Sequence, residues 1–246
     1  MPYWILKYLA TPVLRFFFRI RVEGLENVPP TGGAILAGNH LAVCDSFFLP
    51  LVLRRRVTFA AKAEYFENPR TAWFFRAVGQ IPMKRGGGSA SQRALDSARE
   101  VLDSGGLFGI YPEGTRSPDG RLYKGHTGVA RLALECKVPV VPVACMGTRE
   151  AQPIGRRIPR LFMPITVRIS RPLDFSRYQA ATIDPLVLRK ITDEIMFELR
   201  ELSGQVYVNA YATRQAGGAE AGPARVATLP VESSPPPERP TAMAGT

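Results

Sequence analysis

A histidine and an aspartate five residues apart form the first spacing in the chain that suggests chemistry. His40 and Asp45 stand in the run NHLAVCD (39–45), between a strand-like segment (34–37) and an apolar helical segment (46–53). On one regular helix, positions five apart point about 140° away from each other, so the two side chains can touch only if His40 lies in a loop and Asp45 near the helix start. The carboxylate would then fix the imidazole tautomer and stabilise the imidazolium formed on proton abstraction. The pair predicts a general base. The alternative is a structural histidine bonded within a turn.

A second group of polar residues follows another strand-like run. The sequence YPEGTRS (111–117) comes directly after the apolar residues 107–110, at the end of a strand where α/β folds usually bind ligands. Arginine binds phosphate in a planar, bidentate manner. Arg116 could therefore bind phosphate, and Glu113, Gly114 and Thr115 in the same turn are the neighbouring candidates for substrate contact. The alternative is an exposed turn whose ion pair contributes little.

Basic residues follow two further strand-like runs. Lys62 comes just after residues 57–60, and Lys84 with Arg85 comes after residues 80–83. The apolar run VPVVPV (138–143) is either a core strand or the lining of an acyl pocket.

The metal-binding and disulfide classes have little support. Two histidines and three scattered cysteines match no zinc-ligand spacing, so we expect no metal site. An odd, sparse set of cysteines indicates a reducing compartment rather than a disulfide framework.

Apolar runs alternate with helical patterns along most of the chain. This alternation predicts an α/β fold with a mixed, largely parallel sheet flanked by helices. Two prolines in the run 138–143 place that strand at an edge or make its pairing irregular. The strand-like runs are 34–37, 57–60, 80–83, 107–111 and 138–143, and the clearest helical patterns cover 91–104, 128–135 and about 185–202.

The chain divides into three parts by composition. Residues 1–20 are apolar and aromatic, but three basic residues and Pro12 argue against a spanning helix, which leaves a core helix or a membrane-anchoring interfacial helix. We expect the anchor. Residues 21–214 form the main domain, and residues 215–246, rich in Pro, Ala and Gly, are expected to be disordered.

The charge is concentrated in the first two parts. The net charge is +11, and the last part has two arginines and three glutamates, so residues 1–214 carry +12. A nucleic acid, an anionic membrane surface and small anionic substrates are the partners that such a charge suits.

Four motifs in order resemble those of the glycerolipid acyltransferase family. They are NHLAVCD, the block from Lys62-Ala63-Glu64 to Arg85, YPEGTRS and VPVVPV. The resemblance covers roughly residues 18–202 and is closest to bacterial 1-acylglycerol-3-phosphate acyltransferases. Each motif is weak or moderate alone, but four in order are highly specific.

The resemblance implies a reaction, a substrate class and a location. An acyl group would pass from acyl-CoA or acyl carrier protein to the free hydroxyl of 1-acylglycerol 3-phosphate, without a cofactor, in phospholipid biosynthesis. The enzyme would sit peripherally or monotopically at the cytoplasmic face of the cell membrane.

The resemblance also implies roles for individual residues. His40 would act as the base and Asp45 would orient it. Arg116 and Arg85 would hold the phosphate with help from Lys84, while Glu113 would position the glycerol or support Arg116. The remaining members of the motifs, Asn39 and Lys62, are further candidates. The sequence departs from the family pattern at Tyr111, where Phe is common, at His126, where a second basic residue is frequent, and in the compact spacing from Lys62 to Arg85.

Other functions compete with this one. The same chemistry could serve glycerol 3-phosphate, another lysophospholipid or a glycolipid. Residues 120–127 nearly match a phosphate-binding P-loop, but His126 replaces its lysine. Arginine clusters at 54–56 and 156–157 could contact nucleic acid, but no known nucleic-acid module surrounds them, so we expect no such partner.

Overall fold

The computed structural model describes residues 2–83, 89–156, 158–178 and 184–213. The helices and strands follow in chain order: α1 (Pro2–Phe17), β1 (Arg19–Glu23), β2 (Ala34–Gly38), α2 (Asp45–Val52), β3 (Val57–Lys62), α3 (Glu64–Glu67), α4 (Pro69–Ala77), β4 (Ile81–Met83), α5 (Ser89–Asp103), β5 (Leu107–Ile110), β6 (Leu122–Tyr123), α6 (Gly128–Glu135), β7 (Val140–Met146), α7 (Thr148–Ala151), β8 (Pro164–Ile169), α8 (Pro185–Ser203) and β9 (Tyr207–Val208). Short 3-10 turns lie at Leu25–Asn27 and Ser176–Tyr178.

Seven strands form one mixed sheet in the order β1-β8-β7-β2-β5-β3-β4. Every neighbouring pair is parallel except β7 with β8, which is antiparallel. The predicted α/β class with a largely parallel sheet is confirmed. A separate parallel pair, β6 with β9, lies outside this sheet.

The sheet topology explains why the two main motifs meet. Strands β2 and β5 are parallel neighbours, with Ala37 opposite Ile110. His40 follows β2 and the 111–117 motif follows β5, so both leave the same edge of the sheet at adjacent positions. This is the edge at which α/β folds bind ligands.

Two helical layers cover the sheet. On one face, residues of α5, α6 and α8 pack against Ile35 and Ala37. On the other face, α2 packs against Ala34 and Leu36, the alternate residues of the same strand. Because side chains alternate along a strand, β2 contributes to both cores and is completely buried.

Helix ends in the chain follow from local residue types. In α8, the Asp184 side chain accepts a hydrogen bond from the Val187 N–H, Pro185 occupies the first turn, and Gly204 ends the helix in the left-handed conformation. These are the preferred residues for an N-cap, a first position and a C-terminal stop. The helices predicted over 91–104, 128–135 and 185–202 are all present.

The first helix ends earlier than the predicted segment. Helix α1 stops at Phe17, and Arg19 and Ile20 already belong to β1. Pro12 lies inside the helix. No helix in the described ranges combines the length and the apolar composition that a bilayer crossing requires.

The prolines of β7 affect its pairing but not its position. The strand lies between β8 and β2, so the prediction of an edge position was wrong. The prediction of irregular pairing is confirmed. The ladder with β8 runs regularly from Met146 to Val143. It then slips by one residue to the isolated bridge between Val140 and Leu173, around Pro142, which has no N–H to donate.

Three expectations about other parts of the chain have different outcomes. Residues 120–127 do not form a P-loop, since β6 lies within them and pairs with β9. Arg55 donates hydrogen bonds to the carbonyls of Pro29, Gly32 and Gly105 and so joins the loops that contain them, while the expected absence of a nucleic-acid partner stays a prediction. The tail 215–246, expected to be disordered, lies outside the described residues.

Candidate active site

His40 and Asp45 adopt the geometry that their spacing predicts. His40 lies in the loop after β2, and Asp45 is the first residue of α2. The His40 Nδ1 atom lies 3.1 Å from Asp45 Oδ2. The Asp45 side chain is completely buried, and that of His40 is 18% exposed.

Asp45 also organises the loop between the two residues. Its Oδ2 atom accepts hydrogen bonds from the backbone N–H groups of Leu41 and Ala42, both at 2.8 Å. The other oxygen, Oδ1, has no partner in the described part of the chain. A carboxylate oxygen that already accepts two N–H groups can only accept from the ring, so we assign the His40 proton to Nδ1. Nε2 has no hydrogen-bond partner among the described residues, so it is an available acceptor, as a general base requires.

Tyr111 holds the imidazole from a second side. Its ring stacks on that of His40 with centroids 4.0 Å apart and an angle of 9° between the planes. The phenol oxygen lies 3.0 Å from the Ser46 hydroxyl on α2. Burial, reinforced by the negative charge of Asp45, raises the pKa of the Tyr111 phenol well above its usual value, so the phenol stays neutral. Replacing Phe by Tyr here adds a bond between the β5 end and α2.

Glu113 supports the His40 loop and does not contact Arg116. Its two oxygens accept hydrogen bonds from the backbone N–H groups of His40 at 3.0 Å and Tyr123 at 2.9 Å, and the residue is 1% exposed. The expected support of Arg116 is therefore wrong. Burial raises the pKa of Glu113 to about 7, against the two hydrogen bonds, which lower it. A return contact, from the Ser117 N–H to the His40 carbonyl at 2.7 Å, completes the link between the motifs.

Three further residues of the second motif, Gly114, Thr115 and Arg116, border a cavity. Gly114 has φ +71°, a backbone conformation that favours glycine, and a Cβ atom there would make a tight contact of 3.0 Å with the His126 ring. Thr115 and Arg116 line the cavity described below. The Arg116 side chain has no hydrogen bond or ion pair with any part of the chain that the structure describes, so its guanidinium is available to a ligand.

Asn39 is part of the frame of the site. Its side chain pairs with the backbone of Cys145 in β7, donating to the carbonyl at 3.1 Å and accepting from the N–H at 2.8 Å. A third hydrogen bond joins Asn39 Nδ2 to Gln205 Oε1 at 2.7 Å. With 1% of its surface exposed, Asn39 holds the end of β2 and makes no contact with the cavity.

Residues after α8 complete the site, and sequence reasoning missed them. Gln205 also donates from Nε2 to the Gly120 carbonyl at 2.7 Å, so it clamps the His40 loop to the loop after the second motif. Tyr211 stacks on His126 with centroids 4.6 Å apart. No local pattern marks these residues, because their partners are far away in the sequence.

The basic residues of the second block are only partly described. The Lys62 backbone pairs with Met83 at the end of β3, and its side chain lies outside the description. Lys84 and Arg85 fall outside the described residues, so their expected contact with phosphate stays a prediction. His126 lines the cavity, and burial, followed by the positive charge of Arg189, lowers the pKa of its imidazole. It is therefore uncharged at neutral pH.

A cavity of about 930 Å³ opens beside His40, near the upper end of the range for small-molecule sites. Its polar end consists of His40 and residues 111–116. The remaining lining of the cavity is mainly apolar and includes residues of α1, α2, α4 and α5 and the 59–61 segment of β3. Leu6, Phe47 and Phe75 are examples of these apolar lining residues. Residues 138–143 do not line it, so the acyl-pocket expectation for that run was wrong and the core-strand alternative is correct.

Comparison with known proteins identifies the family. A family model described as Acyltransferase matches residues 19–146, which is more than half of the 246 residues. The chain belongs to this acyltransferase family.

Two relatives of the chain share a named activity. The chain is 34% identical over 154 residues to a chloroplastic 1-acyl-sn-glycerol-3-phosphate acyltransferase of Arabidopsis thaliana, covering 62% of this chain and 43% of the relative. It is 30% identical over 169 residues to the 1-acyl-sn-glycerol-3-phosphate acyltransferase of Limnanthes douglasii, covering 68% and 59%. The match thus spans less than two thirds of the length of these curated relatives.

A solved structure resembles the chain over most of its length. The crystal structure of the 1-acyl-sn-glycerophosphate acyltransferase PlsC from Thermotoga maritima superimposes with a TM-score of 0.61 at 30% identity, covering 80% of this chain and 76% of that one. The family motifs and the fold therefore agree.

Proposed function

We propose that the protein transfers a fatty acyl group from a thioester donor, acyl-CoA or acyl carrier protein, to the free hydroxyl of 1-acylglycerol 3-phosphate. The observation that carries this proposal is the free Nε2 of His40, oriented by Asp45, at the polar end of an apolar cavity that also holds an unpaired Arg116. The names of the relatives supply the acceptor.

The reaction follows from the positions of these groups. The acceptor hydroxyl donates to His40 Nε2, which takes its proton as the oxygen attacks the thioester carbonyl. Asp45 stabilises the imidazolium. The tetrahedral intermediate then expels the thiolate, which receives the proton from His40, so that an ester and a free thiol result and the base is regenerated. This scheme uses no cofactor and no acyl-enzyme.

The cavity fits the two halves of the acceptor. The guanidinium of Arg116 suits the phosphate, and the apolar walls suit an acyl chain. In the proposal Lys84 and Arg85 add further positive charge at the phosphate, and Lys62 remains a candidate.

We also propose that α1 docks the enzyme on the cytoplasmic face of the cell membrane. One side of α1 lines the cavity, with Leu6, Ala10 and Leu14. Its opposite side exposes six large apolar residues, Trp4, Ile5, Tyr8, Leu9, Val13 and Phe16. A continuous apolar helix face on a basic protein is typical of an interfacial helix at an anionic bilayer. Lipid acceptors would then reach the cavity from the bilayer.

An acyl-transfer assay with defined acceptors tests the reaction. The wild-type protein, given labelled acyl-CoA or acyl carrier protein, should acylate 1-acylglycerol 3-phosphate in preference to glycerol 3-phosphate, other lysophospholipids and glycolipids. His40→Ala should lose this activity and keep the wild-type thermal unfolding midpoint. Near-wild-type activity of the folded alanine variant would overturn the mechanism, and preference for another acceptor would overturn the proposed substrate.

A further inference from the structure

A loop between α7 and β8 exposes three large apolar side chains. Ile158 is 73% exposed, Leu161 48% and Phe162 58%. Phe162 also has φ +61°, a backbone conformation that is unfavourable for a bulky residue. Phe162 is therefore exposed and also has an unfavourable backbone conformation, and all three side chains would gain free energy from burial in an apolar medium.

Contacts join this loop, residues 158–162, to helix α1. The Phe162 N–H donates to the Phe17 carbonyl at 2.6 Å, and the two rings lie 6.0 Å apart. At the other end, the Arg160 N–H donates to the Ala151 carbonyl at 2.7 Å. The exposed loop residues thus adjoin the end of α1, whose Phe16 is exposed as well.

The surroundings of the loop are positively charged. Arg156 and Arg160 are exposed beside it, as are Arg15 at the end of α1 and Arg19 in β1. The sequence from 151 to 163 contains no acidic residue. Exposed apolar side chains among arginines complement an anionic bilayer, in which acyl chains lie below negatively charged headgroups.

We propose that residues 158–162 insert into an anionic lipid bilayer as a second contact point beside α1. This inference rests on the membrane docking under Proposed function and adds to it. One helix alone can roll on a surface, whereas a helix and a loop together fix the rotation of the enzyme. Ile154, which lines the cavity, lies in the segment that leads to the loop. The second contact therefore keeps the cavity turned toward the lipid.

Vesicle binding by the full chain tests the proposal. The double variant Ile158→Ser with Leu161→Ser should bind phosphatidylglycerol-containing vesicles about tenfold or more weakly than wild type in flotation, because burial of each large apolar side chain accounts for at least that factor. Leu186→Ser is the matched control, since Leu186 is 81% exposed on α8, which covers the opposite face of the sheet from α2. It should bind like wild type.

A second variant reports insertion directly. Leu161→Trp adds an indole, and lipids brominated in the acyl chain should quench fluorescence beyond the quenching seen in wild type. Added emission that is insensitive to the brominated lipids would overturn the proposal. Vesicle binding by the serine variant at the wild-type level would overturn the proposal as well. If the elution volume of that variant also changed, the loop would contact a second copy of the chain instead of lipid.

The activity assay separates this inference from the proposed function. With 1-acylglycerol 3-phosphate below its critical micelle concentration, the serine variant should match wild type, because the loop touches no reacting group. Loss of that activity in the variant alone would show a role within the enzyme and refute membrane insertion. An inactive wild type would refute the proposed reaction, while flotation and quenching would still decide whether the loop inserts.

Discussion

The substitution Asp45→Asn removes the charge beside His40 and keeps the size of the side chain. The asparagine oxygen can occupy the position of Oδ2 and still accept from the backbone N–H groups of Leu41 and Ala42. It can also accept from His40 Nδ1. The loop should therefore keep its shape, and we expect the free energy of unfolding to change by less than about 1 kcal/mol.

The loss in rate follows from the distance between the two groups. In the proposed reaction a unit positive charge develops on the imidazole, 3.1 Å from Asp45 Oδ2. With an effective permittivity of about 20, a charge pair at that distance is worth about 5 kcal/mol. Loss of that interaction in the transition state alone would reduce kcat by about 10³-fold to 10⁴-fold. The acceptor KM should change little, because Asp45 does not line the cavity.

Steady-state acyl transfer by wild type, Asp45→Asn and a matched control decides the point. Asp103→Asn is the control, since Asp103 is an exposed carboxylate at the end of α5 and should leave kcat unchanged. Thermal unfolding of all three proteins shows whether the fold is kept. If folded Asp45→Asn retains more than about a tenth of the wild-type kcat, the Asp45 charge is not what stabilises the imidazolium.

Substitutions at three further residues test other parts of the site. Glu113→Gln should lose one of two backbone hydrogen bonds and about 1–3 kcal/mol of unfolding free energy. The pKa of Glu113 is raised from 4.5 to about 7, so between these pH values the native state keeps a proton that the unfolded chain has lost. Wild-type stability should therefore fall as pH rises through this interval, and the fall should be smaller in the variant. Urea unfolding at several pH values measures this, and the same pH dependence in both proteins would contradict it. Gln205→Ala should lower kcat about tenfold with little change in KM. Gln205→Glu can still accept a hydrogen bond from Asn39 and should recover part of the rate. Equal rates for wild type and the alanine variant would contradict the role of Gln205 in joining the two loops. Arg116→Lys should raise the KM for a phosphate-bearing acceptor about tenfold and leave the KM for a monoacylglycerol unchanged. An equal change in the two KM values would show that Arg116 does not hold the phosphate.

The parts of the fold that depend on local patterns could be predicted from the sequence. Helix α6 has the predicted bounds, Gly128–Glu135, because its apolar residues repeat with the helical period. The loop position of His40 and the helix-start position of Asp45 followed from the geometry of a five-residue spacing. Strands β1 and β8 were not predicted. Both alternate inward and outward residues, but charged side chains interrupt their apolar content.

Long-range contacts explain what the sequence could not show. The two oxygens of Glu113 contact residues 73 positions earlier and 10 positions later. Gln205 reaches Asn39 across 166 positions. The residue types at either end do not reveal such a pair, so Glu113, three positions before Arg116, was interpreted as positioning the glycerol or supporting that arginine. Only the tertiary structure shows that the carboxylate faces backbone N–H groups.

The arrangement around His40 separates holding the base from binding the substrate. Asp45 and Tyr111 fix the ring itself, while Glu113 fixes the backbone N–H of the same residue. None of these three contacts uses Nε2 or the guanidinium of Arg116. The groups that would meet the substrate are therefore free because other residues carry the structural contacts. This division gives the acid and the base of the second motif separate tasks: Glu113 holds the loop of the histidine supplied by the first motif, and Arg116 is left for the phosphate in the proposed reaction.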